Sequence, residues 1–96
     1  MPPTTPKWTF LSNHGQVLLC IARDPDVRLR EIGDQIGITE RAAHRIVGEL
    51  ANAGYLRRQR NGRRNRYTIK THLGLPDPPA RDRSIGDLLS VLAAPQ

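Results

Sequence analysis

The sequence is poor in cysteine, aromatics and long apolar runs, and each scarcity excludes something. Its one cysteine, Cys20, allows no intramolecular disulfide and suits a reducing cytoplasm. No apolar run approaches a membrane span or the core of a signal peptide, so no membrane partner is expected. Ser12, Ser84, Ser90 and Cys20 are the candidate nucleophiles, yet none has a histidine and an acid at a recognisable spacing, so neither an enzyme nor a cofactor is expected. No second histidine or cysteine stands at ligand spacing from His44, which argues against a metal. Cys20 itself, between Leu19 and Ile21, reads most simply as a small buried apolar residue, with a redox switch as the alternative. Ninety-six residues suit one small domain with tails and leave little room for a large catalytic cavity.

Acidic residues are scarce where basic ones are dense. Residues 1–40 carry four basic and five acidic groups, 71–96 carry two and three, but 41–70 carry nine basic groups against the single acid Glu49. Nearly all of the formal net charge of +6 therefore comes from one third of the chain. Concentrated positive charge is the footprint of a polyanion partner; a basic face kept only for solubility would not need clustering. Thirteen of the fifteen cations are arginine, whose planar fork suits phosphate and guanine.

The densest run is Arg57 to Arg66, RRQRNGRRNR, with six arginines and no acid. Tyr55 and Leu56 precede it, Tyr67 and Ile69 follow it, and Asn61-Gly62 lies at its centre, the pattern of a hairpin with only its base on a core. A two-residue Asn61-Gly62 turn would pair Arg60 with Arg63, Arg58 with Asn65 and Leu56 with Tyr67.

Upstream, residues 1–7 form a proline-rich tail, and Trp8 to Leu11 read as a short strand or extended lead-in. Asn13 as cap, with Gln16 three residues on, starts a helix over about 14–24 that carries Val17, Leu18, Ile21 and Ala22 at helical spacing. Leu29, Ile32, Gln35 and Ile36 suggest a second short helix ending at Gly37. Thr39 caps a third from about Glu40, with Ala43, Ile46, Val47 and Leu50 on its apolar face and Gly54 at its end. Residues 71–83 read as a proline-rich linker. A helix over 84–94 follows, capped by Ser84 with Asp87, whose stripe Ile85, Leu88, Leu89 and Leu92 either forms a dimer interface with Trp8 and Phe10 at its end or folds back on its own domain.

Two helices joined at Gly37-Ile38-Thr39, with the second running through Gly54-Tyr55-Leu56 into a basic hairpin, give the order of a winged helix-turn-helix. From Leu29 to Ile69 the residues LREIGDQIGITERAAHRIVGELANAGYLRRQRNGRRNRYTI resemble the DNA-binding module of MarR-like and related bacterial and archaeal transcription regulators, and the resemblance extends over about Leu11 to Lys70. It implies an α+β fold, mainly α: a three-helix core plus wing over 8–70, with an extra C-terminal helix. Arg28 departs from the family by standing where a Ser or Thr cap is common. The long flanking helices that build a MarR-type dimer around an effector pocket are absent too, so a small-molecule effector is not expected.

The implied function is sequence-specific binding of double-stranded DNA by a cytoplasmic, nucleoid-associated, prokaryotic regulator acting as a homodimer. In a helix-turn-helix the N-terminal part of the second helix meets the base edges, here Thr39, Glu40, Arg41, His44 and Arg45. Arg41 and Arg45, one turn apart, suit guanine O6 and N7. Glu40 suits either cytosine N4 or the helix dipole, and His44 a base or a phosphate. In the wing, Arg57, Arg58, Arg60, Arg63, Arg64 and Arg66 alternate between two faces, so three or four are expected on phosphates, with Arg60 or Arg63 at the tip suited to a narrow minor groove. Asn65 either joins them or makes a hydrogen bond within the hairpin. Arg28 and Arg30, near the start of the second helix, are placed to grip the backbone. About five phosphates neutralised per subunit, and about ten per dimer, imply a salt slope near −9. Other readings are an architectural protein without sequence preference, an adaptor working through the last helix, and an RNA binder; the last is disfavoured because the deep A-form groove excludes a helix and the wing offers no aromatic platform.

Overall fold

The computed structural model describes residues 6–93. Its elements are α1 (Asn13–Arg23), α2 (Leu29–Ile36), α3 (Glu40–Asn52), the antiparallel strands β1 (Leu56–Asn61) and β2 (Arg64–Ile69), and α4 (Ile85–Leu92). Residues 1–5 of the expected tail, and residue 94 of the expected last helix, lie outside the described residues.

Local chemistry accounts for most of the boundaries. α1 is capped by Ser12 rather than Asn13: the Ser12 hydroxyl accepts from the Gly15 N–H at 3.2 Å, while the Gln16 amide donates to the Leu11 carbonyl at 3.1 Å instead of completing a box with Asn13. At α2 the guanidinium of Arg28 has no acceptor to offer, so Glu31 does the capping, its carboxylate accepting from the Arg28 N–H at 3.0 Å. At α3 the Thr39 hydroxyl accepts from the Ala42 N–H at 3.0 Å. The helix closes with both bonds of a Schellman motif, Tyr55 N–H to Leu50 C=O at 3.0 Å and Gly54 N–H to Ala51 C=O at 3.1 Å; Gly54, at φ 90°, occupies the left-handed position that a side chain disfavours.

α2 and α3 are locked together by another glycine. A Cβ on buried Gly33 would stand 2.6 Å from the Ile38 carbonyl oxygen, so only glycine lets the turn between the helices fold against α2. The Ile38 N–H then bonds back to the Gly33 carbonyl at 3.0 Å.

In the hairpin, Asn61 pairs with Arg64, Arg60 with Asn65, Arg58 with Tyr67 and Leu56 with Ile69. The expected register is therefore wrong, because the turn residues are Gly62 and Arg63. Positive φ falls on Gly62 alone (67°), the pattern of a turn with glycine first rather than one centred on Asn61-Gly62. Leu56, Tyr67, Asn65 and Ile69 face the domain, whereas Arg57, Gln59, Arg64, Arg66 and Thr68 face solvent. β2 is also fastened to the α1–α2 loop, through Tyr67 N–H to Pro25 C=O at 3.0 Å.

One core holds α1, α2, α3, the wing base and α4 together: Val17, Leu18, Cys20 and Ile21; Val27 and Ile32; Ala43, Ile46, Val47 and Leu50; Leu56 and Tyr67; and Ile85 and Leu89. The last two correct the expected dimer stripe. Ile85 (3% exposed) and Leu89 (8%) are buried in their own domain, where they cannot meet a partner. Residues 71–83 do not act as a spacer but close a loop, with Leu75 N–H to Arg83 C=O at 3.0 Å and Ile85 N–H to Leu73 C=O at 2.8 Å, which returns α4 to α1. No strand forms at Trp8 to Leu11; Trp8 and Phe10 stack edge to face at 4.9 Å and stay exposed.

Candidate nucleic-acid interface

α3 turns Ala43, Ile46, Val47 and Leu50 inward, which leaves Arg41, Arg45 and Asn52 on the opposite side of the cylinder. Thr39, Glu40, Arg41, His44 and Arg45 are all exposed. Arg45 is engaged: its guanidinium donates to Glu49 one turn on, at 3.2 and 3.4 Å, while His14 Nε2 on α1 stands 2.9 Å from the same carboxylate. The hydrogen bond from His14, with the charge of Arg45, holds the Glu49 carboxyl below its ordinary range. The pair is solvent-exposed and screened, so Arg45 can exchange Glu49 for another acceptor.

Beside the N-terminus of α3 lies an open groove of about 860 Å³. Arg28 and Arg30 line it from α2 and its cap, Arg63, Arg64 and Asn65 from the wing, and Glu40 from α3. Residues from three separate stretches of sequence thus meet around one concavity. Asp26 and Glu31 also line it, so the groove is not purely basic.

Other wing residues stand apart from the groove lining. Arg66 Nη1 donates to Asp26 Oδ2 at 2.8 Å, and Arg60 Nε to the Gly62 carbonyl at 3.2 Å. Arg57 lies on the solvent face of the ribbon and Arg58 on the domain side beside Tyr67, both exposed. The division of the arginines between two faces follows the sequence; which of them are already occupied does not.

The sequence profile of the MarR family matches residues 9–66. The chain belongs to the MarR family. The match covers α1, α2, α3 and most of the wing, and stops before α4. Proteins of the MarR family are transcription regulators with a winged-helix DNA-binding domain, not enzymes. No curated protein and no solved structure matches the chain significantly. No helix among the described residues is long and apolar enough to cross a membrane.

Two features of this MarR-family domain were not foreseen from the sequence. The Arg45–Glu49 pair was readable as an i, i+4 spacing, but the third member, His14, lies 35 residues away. Gly48, on the side of α3 away from the core, faces open space: beyond its two chain neighbours and the adjoining helix backbone, no described atom lies within 4 Å of where a Cβ would stand. A glycine inside a helix costs about 0.8–1 kcal/mol relative to alanine, and nothing among the described residues requires one there. Cys20 is buried within α1, and that burial pushes its thiol up, away from the reactive thiolate.

Proposed function

We propose that this chain is a sequence-specific double-stranded DNA-binding regulator, with α3 in the major groove and the wing on the backbone. The observation that carries the reading is the groove in which Arg28 and Arg30 meet Arg63, Arg64 and Asn65 beside the first residue of α3. Phosphates following that groove would hold Arg41, His44 and Arg45 over the base edges. Arg41, with no intramolecular ion pair among the described residues, is the primary reader of guanine; Arg45 joins it by releasing Glu49. Glu40 and Asp26 in the groove weaken binding to any duplex whose bases do not compensate, which favours selectivity over indiscriminate adhesion.

We further propose that the protein works as a homodimer in a prokaryotic cytoplasm. Trp8 (60% exposed) and Phe10 (92%), with Leu88 and Leu92 only half-buried, remain for such an interface, while Ile85 and Leu89 do not. Selection from a random duplex library tests the function: one enriched motif supports it, and uniform binding without enrichment indicates an architectural protein instead.

A further inference from the structure

The two glycines inside the helix-turn-helix helices have opposite surroundings. Gly33 of α2 is enclosed, its missing side chain explained by the Ile38 carbonyl 2.6 Å from the Cβ position. Gly48 of α3 has ordinary helical backbone and open space where a side chain would go. It stands three residues after Arg45 and four after His44, with Asn52 four further on, and seven after Arg41, which places it on the Arg41–Arg45 side of the cylinder. The surface there is a notch at backbone level, bordered by the exposed side chains of His44, Arg45 and Asn52.

We propose that Gly48 determines how deeply α3 seats on DNA, by leaving room for the wall of the major groove to approach the helix backbone. The inference rests on the DNA-binding reading above and deepens it. The fit is tight without such a notch: a helix with its side chains is about 10–12 Å across, and the groove of B-form DNA is about 12 Å wide. The first turns of α3 carry the arginines that reach base edges, so the helix must enter at that end while its third turn passes the sugar-phosphate wall. A side chain at residue 48 would lift that turn and withdraw Arg41 and Arg45 from the bases. The close approach of another backbone is a recurrent reason for glycine where the fold needs none.

The test uses Gly48→Ala and Gly48→Leu in the full chain, with thermal melting and titration against a random-sequence duplex pool and the duplex enriched from it. Gly48→Ala is expected to melt at or above the wild-type temperature, because alanine favours the helix. It is expected to bind the enriched duplex about 5- to 150-fold more weakly, the range for losing one good base contact, and Gly48→Leu more weakly still. Wild-type affinity in both folded variants would overturn the inference while leaving the DNA-binding reading intact. A lower melting temperature for Gly48→Ala would also overturn it, since the glycine would then serve the fold. Failure of the wild-type chain to bind any duplex would remove the DNA-binding reading, and the inference with it.

Discussion

Arg66 on β2 donates to Asp26 in the α1–α2 loop at 2.8 Å, across 40 residues of sequence. The next residue of β2, Tyr67, bonds its N–H to Pro25 in the same loop, so the charge pair and the backbone bond fasten the wing together. Both partners are about half exposed, and such pairs contribute at most about 1 kcal/mol. Asp26→Asn is therefore expected to leave the urea midpoint nearly unchanged. It should tighten duplex binding, because it removes an acid from the groove and frees an arginine. Weaker binding in that variant would mean that the pair orients the wing rather than restrains Arg66.

Gly33→Ala should be far more damaging than its single added methyl suggests. A Cβ 2.6 Å from the Ile38 oxygen must displace the turn that joins α2 to α3, and overpacking of that kind costs about 1–3 kcal/mol. Chemical denaturation measures it. A loss within experimental error would mean that the turn relaxes freely.

The burial of Leu89 changes what its replacement should do. A residue 8% exposed within the core loses both transfer energy and packing on truncation, so Leu89→Ala should cost about 2–5 kcal/mol. Were α4 a free dimerisation helix, the same change would lower dimer affinity and spare the melting temperature of the domain.

Two carboxylates link stability to pH. The Ser84 backbone N–H and hydroxyl hold the Asp87 carboxyl below its ordinary range, as His14 and Arg45 do for Glu49. Because the folded state depresses both, their contribution is complete above the ordinary carboxylate range and is lost as pH falls through the folded values. Urea midpoints should drop between neutral pH and about pH 3, and less steeply in Asp87→Asn. An unchanged slope in that variant would show that the Ser84–Asp87 box contributes nothing in solution.

The sequence was most legible where structure is local. Thr39, Ser84 with Asp87, Gly37 and Gly54 each act within a few residues of themselves, and their roles as caps follow from side-chain chemistry alone. The hairpin register was not legible, and the reason is geometric. Moving the turn by one residue moves every partner by two, which keeps Leu56 and Tyr67 on the same face, so the apolar pattern accommodates both registers. The stripe on α4 was visible, but an apolar stripe does not state what it packs against. Likewise the candidate site was readable as a set of arginines, and Glu49 as an i, i+4 partner of Arg45, whereas Asp26, which occupies Arg66, and His14, which joins Glu49, come from 40 and 35 residues away.

Methylation interference on a duplex enriched from a random library shows whether α3 reads bases in the major groove through Arg41. Methylation at guanine N7 blocks the acceptor that an arginine fork uses. Interference is expected at one guanine or more for the wild-type chain, and its loss at one such guanine in Arg41→Ala. Tight binding with no interference at any guanine N7 would mean that Arg41 does not read guanine in the major groove.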